Sequence, residues 1–252
     1  MKNKRAQVTI FIIIAILIIL IGLLIYFLYP KLTSPVPKEE NPYLFIQSCM
    51  EKELKENINK ISLQGGSLAP EHYILYNNQK IEYLCYTMEY YKTCVMQKPM
   101  LKKSIEKEIK NSIKDLEVQC FNNLKKSYEE KGYDVDISQG ETIVELLPEK
   151  IRILFNKTIA LKNEETEMYN SIKIIFNNNL YELVNIANSI LNWETKYGDA
   201  ETTTYMSYYR DLKVEKKKQS EGSTIYILTN RNTKNKFQFA SRSVAWPPGY
   251  VE

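Results

Sequence analysis

The longest uninterrupted apolar stretch of the chain lies close to its first residue. Val8–Tyr29 is 22 residues long, is broken only by Thr9 and Gly22, and contains no charged residue. As a helix with a rise of about 1.5 Å per residue, it would span roughly 33 Å, which matches the ~30 Å hydrocarbon core of a bilayer. The pattern therefore predicts a transmembrane helix over residues 8–29.

The segment that follows is rich in proline. Four prolines fall within thirteen residues, namely Pro30, Pro35, Pro37 and Pro42. Because proline fixes φ and removes a hydrogen-bond donor, the transmembrane helix is not expected to continue through this segment. We predict that residues 30–42 form a semi-extended stalk that holds an outer domain away from the membrane.

Two apolar stripes with helical spacing come after the stalk. The first lies between a typical helix start, Asn41-Pro42, and a typical helix end, Gly65-Gly66. It consists of Ile46, Met50, Leu54, Ile58 and Ile61. The second predicts a longer helix from near Pro99 to Gly132, and it consists of Ile105, Ile109, Ile113, Leu116, Cys120, Leu124 and Tyr128. Each stripe predicts a helix that buries one face.

Alternating apolar and polar positions predict strands in the rest of the chain. Tyr73–Tyr76 and Ile81–Tyr86 flank a polar turn and predict a short aromatic hairpin. The other predicted strands cover residues 133–137, 142–147, 151–161, 168–176, 223–229 and 236–240, with a third helix over 180–191. The lysine-rich run 213–218 is predicted to be a solvated strand end or loop.

This order of elements favours the α+β class, with two long helices and an antiparallel sheet. We predict one domain over residues 43–252, because each half alone has few elements to cover its apolar faces. The alternative is two small domains that meet near residue 132.

Charge is distributed unevenly about the apolar stretch. The net charge of +4 falls entirely within residues 1–31, whose charged side chains are Lys2, Lys4, Arg5 and Lys31. By the positive-inside rule, the basic segment 1–7 is cytoplasmic and residues 32–252 lie outside the cell, which predicts a single-pass protein of the cell membrane. The neutral outer part does not fit a basic nucleic-acid-binding domain, so we expect no nucleic-acid partner.

A cleaved secretory signal peptide is the alternative to a membrane anchor. The apolar region of such a peptide runs for about 7–15 residues and ends in a small-residue cleavage site. The stretch in this chain is longer, and Leu28-Tyr29-Pro30-Lys31 offers no such site. An uncleaved anchor is therefore favoured.

The residues at the start of the apolar stretch resemble a known kind of signal segment. Lys4-Arg5-Ala6-Gln7-Val8-Thr9-Ile10-Phe11 is similar to the class III signal segments of archaeal type IV pilin-like proteins. In those proteins cleavage falls before the glutamine and leaves the hydrophobic helix attached, which implies a cut between Ala6 and Gln7. This chain differs at the fifth position after the cut, where pilins usually carry glutamate and Phe11 stands here.

The rest of the chain resembles a group of uncharacterised, singly anchored membrane proteins of small-genome archaea. A cysteine-bearing helix followed by a segment like Leu63-Gln64-Gly65-Gly66 recurs in that group. The resemblance implies a membrane anchor and supplies no activity.

Four cysteines lie in the predicted outer part, at Cys49, Cys85, Cys94 and Cys120. An even number in an extracytoplasmic domain predicts two disulfides. Of three possible connectivities we favour Cys49–Cys120, which would join the two long helices, with Cys85–Cys94 as a local bridge. The alternative is a zinc site with four thiolates, but such ligands usually come in close C-x₂₋₄-C pairs, and this sequence has none.

Few residues suggest catalysis. His72 is the only histidine, and it stands at the start of a predicted strand with no catalytic motif around it, so we expect it to be solvated. No glycine-rich phosphate-binding loop is present. Pairs of carboxylates remain open as a candidate for glycoside chemistry. We predict that the chain is not an enzyme and uses no cofactor or metal.

Aromatic residues point to binding instead. Nineteen tyrosines are present, and six of them fall between residues 73 and 91, where they either pack within the hairpin or form a binding surface. In the last residues, Trp246, Pro247, Pro248 and Tyr250 favour a polyproline II segment that docks on a partner, although Trp246 could equally fold back on its own domain.

These patterns predict a membrane-anchored, extracytoplasmic binding or structural protein of the cell envelope. Its expected partners are the lipid bilayer and other envelope proteins, glycans or a sister copy. The alternative is a type IV pilin-like subunit, processed between Ala6 and Gln7 and assembled through its hydrophobic helix.

Overall fold

The chain divides into two units, Met1–Asn41 and Pro42–Glu252. The computed structural model describes Ile14, residues 16–23 and residues 41–245. In the first unit, Ile14 and residues 16–23 are helical and exposed, and Asn41 is exposed and not helical. Most of the predicted transmembrane helix and of the stalk lies outside the described residues. Within the described parts of the chain, no helix has both the length and the apolar character that crossing a bilayer requires.

Helix α1 spans Pro42–Leu63 and buries the whole of its predicted stripe. Its predicted stop is confirmed, since Gly65 and Gly66 have φ values of 80° and 95°. That left-handed backbone favours glycine. Space requires it too, because a Cβ on Gly66 would lie 2.8 Å from Cγ1 of Ile105.

The single long helix predicted from Pro99 to Gly132 is in fact two helices. Helix α2 spans Leu101–Ser112 and helix α3 spans Lys114–Glu129, with Ile113 between them at φ −106° and ψ 0°. The break is held by Asn57 of α1, whose side-chain amide donates to the carbonyl of Ser112 at 3.2 Å. Ile113 itself is fully buried, so the apolar stripe continues through the break.

A six-stranded sheet contains the predicted hairpin. Its strands are β1 Tyr73–Tyr76, β2 Gln79–Tyr86, β3 Val95–Met96, β8 Leu212–Lys218, β9 Ser223–Asn230 and β10 Lys236–Arg242. The main order is β1-β2-β10-β9-β8, and β3 also pairs with β2. The pairing of β2 with β10 is parallel, with Tyr83 opposite Ala240, and the other pairs are antiparallel.

A second sheet of four antiparallel strands consists of β4 Asp134–Ile137, β5 Thr142–Leu147, β6 Lys150–Lys162 and β7 Thr166–Asn177. The long strand β6 pairs with β5 in its first half and with β4 near its end, while β7 follows its other edge. The register shifts between Phe155 and Thr158, which marks a bulge in β6.

Helices α4 Leu180–Tyr197 and α5 Thr203–Tyr208 complete the second unit. Helix α4 contacts strands of both sheets. One hydrophobic core joins helices α1 to α4 with both sheets and includes residues on either side of residue 132. The fold of the described residues is therefore of the α+β class and rich in antiparallel pairs.

Both predicted disulfides are present, in the favoured connectivity. Cys49–Cys120 joins α1 to α3, and Cys85–Cys94 joins β2 to the loop before β3. The zinc alternative is wrong, because all four thiols are consumed in these bonds.

Candidate functional site

The end of helix α4 and the short helix α5 form an open cavity of about 570 Å³. This volume lies within the range of small-ligand sites, which is about 300–1,000 Å³. More than half of its lining side chains are aromatic, and the lining consists of Ser189, Trp193, Glu201, Thr204, Tyr205, Tyr208 and Tyr209. We refer to it as the aromatic cavity.

One wall of the aromatic cavity is the outer face of α4. Ser189, Trp193 and Tyr197 are spaced four residues apart, which places them on one side of a helix. The rings of Trp193 and Tyr197 lie 4.7 Å apart between centroids, and each side chain is nearly half exposed. The opposite face of α4, including Ile190 and Leu191, is buried in the core.

The other wall begins after Gly198. This residue ends α4 in a left-handed conformation at φ 81°, and its N–H donates to the carbonyl of Glu194. A Cβ at Gly198 would lie 2.3 Å from that of Ala245, so the position requires glycine. The chain then turns back and places α5 beside α4, where Tyr205 and Ser189 share a hydrogen bond of 2.7 Å.

The rings of α5 and of Tyr209, which directly follows it, are exposed to different extents. Tyr205 is half-buried and packs against the core, whereas Tyr208 is 81% exposed and Tyr209 is 56% exposed. Tyr205 thus fixes the helix in place and the other two rings remain uncovered.

Glu201 is the charged side chain of the lining. The N–H and the hydroxyl of Thr203 donate to its Oε1 at 2.7 and 2.5 Å. These hydrogen bonds, with a smaller contribution from the charge of Lys216, hold the pKa of Glu201 below its ordinary value. The carboxylate is therefore ionised at neutral pH and acts as an acceptor.

Three lysines near the aromatic cavity already have partners. Lys216 pairs with Asp199 and donates to the carbonyl of Ala200 at 2.9 Å. Lys218 also pairs with Asp199, and Lys196 lies 4.9 Å from the ring centroid of Tyr197. These three lysines are therefore already engaged within the protein.

A buried carboxylate lies beneath the aromatic cavity. Glu194 is 1% exposed and accepts hydrogen bonds from Tyr226, from Ser241 at 2.8 Å and from the N–H of Ala200 at 3.2 Å. Burial raises its pKa, and the hydrogen bonds from Tyr226 and Ser241 oppose that shift. The pKa of Tyr226 is raised as well, first by burial and then by the charge of Glu194. This network ties α4 to β9, β10 and the segment that leads into α5.

A second cavity, of about 430 Å³, lies between α1, β7 and the turn before β10. Its lining is mainly polar and rich in amides, and it includes Gln47, Asn59, Asn177, Asn178 and Asn235. Asn178 and Asn235 already accept hydrogen bonds from the backbone at the start of α4, so part of this lining is structural.

His72, which the sequence predicts to be solvated rather than catalytic, is exposed directly before β1. Its ring contacts the rings of Tyr83 and Tyr86 at centroid distances of 4.8 and 4.2 Å. Tyr83 is buried and shares a hydrogen bond with Ser223 at 2.8 Å. In the hairpin, then, Tyr83 and Tyr86 pack with each other and with His72, as one of the two interpretations of the tyrosine cluster predicts.

Other predicted site residues cannot be placed. The processing residues Ala6 and Gln7 and the tail residues Trp246, Pro247, Pro248 and Tyr250 lie outside the described residues. In the part of the chain that the structure describes, no group of three or more His, Cys, Asp or Glu side chains could hold a metal ion.

The aromatic cavity was not predicted from the sequence. The third helix is predicted to end at residue 191, whereas it runs to Tyr197 and carries Trp193 and Tyr197 on its exposed side. The sequence does contain a signal for the true end of this helix. A basic residue, Lys196, lies in the last turn, and a glycine, Gly198, follows that turn, which is a common pattern at helix ends.

The chain was compared with protein-family models, with curated proteins and with solved structures, and none of the three comparisons found a match.

Proposed function

We propose that this chain is a membrane-anchored, extracytoplasmic binding protein of the cell envelope, and that it binds its ligand in the aromatic cavity without catalysis. The observation that supports this function is the exposure of Trp193, Tyr208 and Tyr209 around one cavity. Large aromatic rings that cluster on a surface mark interaction sites, because their apolar area is released from water only when a partner covers it.

Two features of the chain support the outer location. The charge-free stretch 8–29 follows a basic segment, which favours an anchor with a cytoplasmic start. The two disulfides also fit an oxidising compartment outside the cytoplasm, since thiols in the cytoplasm are kept reduced.

Site-directed photocrosslinking in native membranes tests this function. A photoreactive amino acid at Thr204 lies in the lining of the aromatic cavity, and a matched one at the exposed Lys126 of α3 lies outside that lining. We expect a discrete adduct from position 204 and none from position 126. The same adducts from both positions, or none from either, would show that the cavity is not a binding site.

A further inference from the structure

We infer that the aromatic cavity takes a neutral saccharide, an inference that rests on the proposed function. The geometry pointing to this class is the combination of uncovered ring faces with hydroxyl and carboxylate groups in one open cavity. Each of these groups has a counterpart on a sugar ring.

The aromatic faces match the apolar side of a sugar. A pyranose ring has a face made mostly of C–H groups, whose hydrogens carry a small positive charge. An aromatic ring has a negative face that attracts such groups. Tyr208 is the most exposed ring of the lining, and Trp193 has the largest ring face, so these two are the expected stacking residues.

The polar lining groups match the hydroxyls of a sugar. Glu201 accepts two hydrogen bonds from Thr203, and a carboxylate has about four acceptor sites, so it can accept more from ligand hydroxyls. Such charge-assisted bonds are stronger than neutral ones. Thr204 can both donate and accept, as can the hydroxyl pair of Ser189 and Tyr205.

The charges around the cavity favour a neutral ligand over an ion. An anion would meet Glu201 and the negative faces of the aromatic rings. A cation would be attracted to those faces. However, the positive charge of Lys216 already acts on Glu201 and weakens the attraction of this carboxylate for a cation. A polyhydroxylated neutral molecule uses both the rings and the acceptors without these conflicts.

The experiment measures binding by the full chain in a polyoxyethylene detergent, because glycosidic detergents would compete with the probes. Neutral oligosaccharides of glucose, galactose, mannose and N-acetylglucosamine are compared with acetylcholine and with a peptide of residues 243–252. The chain has two tryptophans, so Trp246→Phe leaves Trp193 as the reporting fluorophore. Calorimetry provides an independent readout.

We expect at least one oligosaccharide to bind and to change the fluorescence of Trp193. Tyr208→Ala should weaken that binding tenfold or more, and so should Trp193→Ala in the calorimeter. Tyr208 is so exposed that its truncation leaves the fold intact. Tyr90→Ala removes another exposed ring, which lies outside the lining, so it should leave the affinity unchanged.

The possible failures are distinguishable. If acetylcholine or the peptide binds at Trp193 and no oligosaccharide does, the saccharide inference is wrong and the proposed function stands. If oligosaccharides bind equally well to Tyr208→Ala, they bind elsewhere and the inference is wrong. If no probe binds and position 204 yields no crosslink, both the inference and the proposed function are wrong.

Discussion

The proton on Glu194 is coupled to folding, because this carboxyl is buried in the native state and solvated in the unfolded chain. Its native pKa is raised from the ordinary value of 4.5, chiefly by burial. The native state therefore binds the proton more tightly than the unfolded state does. The resulting stability is fully present below pH 4.5 and is lost as the pH rises through the raised pKa.

Glu194→Gln should remove this pH dependence. In urea unfolding at a series of pH values, the free energy of unfolding of the unaltered chain should fall with rising pH relative to the variant, by up to about 1.4 kcal/mol per pH unit. Glu201→Gln is the control, since the pKa of Glu201 is shifted in the opposite direction. Parallel curves for the unaltered chain and Glu194→Gln would contradict the assignment.

Tyr226→Phe should destabilise the fold by about 1.5–3 kcal/mol, because the buried carboxylate of Glu194 loses one of its donors. Tyr208→Phe removes the same hydroxyl from an exposed position, so its effect should stay within about 0.5 kcal/mol. Chemical unfolding at neutral pH measures both. Equal effects of the two substitutions would mean that the network around Glu194 contributes nothing.

At the scale of single residues, the apolar periodicity predicted correctly which residues are buried. It did not reveal the polar network around Glu194. Every residue of the two long stripes is buried. Glu194, in contrast, stands in the largely polar run 192–196, and its partners Tyr226 and Ser241 are 32 and 47 residues away in sequence. Contacts over such distances leave no local pattern.

At the scale of elements, the two disulfides close loops of very different length. Cys49 and Cys120 are 71 residues apart, and Cys85 and Cys94 are 9 residues apart. The entropy of loop closure gives about 4.4 kcal/mol for the long loop and about 2.6 kcal/mol for the short one. Replacing the Cys49–Cys120 pair by alanines should therefore lower the free energy of unfolding more than replacing the Cys85–Cys94 pair.

Chemical unfolding of the two double variants checks this difference. Both cysteines of the short bridge are buried, whereas Cys49 of the long bridge is partly exposed, so the loss of packing alone would not make the long bridge the costlier one to remove. If both double variants lose the same free energy of unfolding, these disulfides do not stabilise the protein mainly by restricting the unfolded chain.

The elements that the sequence missed are those with weak or misleading patterns. Helix α5 has only six residues, and its threonines and tyrosines are modest helix formers. Strand β8 contains four lysines, and it is nevertheless a full antiparallel partner of β9 at the edge of its sheet. Lysine on an edge strand discourages pairing with other chains. The position of β8 at the sheet edge therefore explains its lysines, which local strand propensity does not.

At the scale of the whole molecule, the fate of residues 1–6 separates the two candidate functions. The intact mass of protein extracted from membranes under non-reducing conditions measures it. For an anchored binding protein we expect the complete sequence, less four hydrogens for the two disulfides. Loss of residues 1–6 would instead support pilin-like processing between Ala6 and Gln7.

The α+β class and the two disulfides could be predicted because they depend on periodicity and on cysteine number. The packing of the two sheets against α4 could not be predicted, because it depends on which apolar faces of the helices and sheets come together. Leu84 in β2, Leu191 in α4 and Ile153 in β6 belong to one core although they lie far apart in the sequence.

The parallel pairing of β2 with β10 fixes an order of events during biosynthesis. About 150 residues separate these paired strands, and at about 5–20 residues per second their synthesis takes roughly 8–30 s. During that delay, β2 can pair with β1 and β3, which are close in sequence, but not yet with β10. Cys94 is synthesised only nine residues after Cys85, so the two can form their disulfide before β10 is complete. This bond prevents Cys85 from pairing wrongly with Cys49 or Cys120 in the meantime.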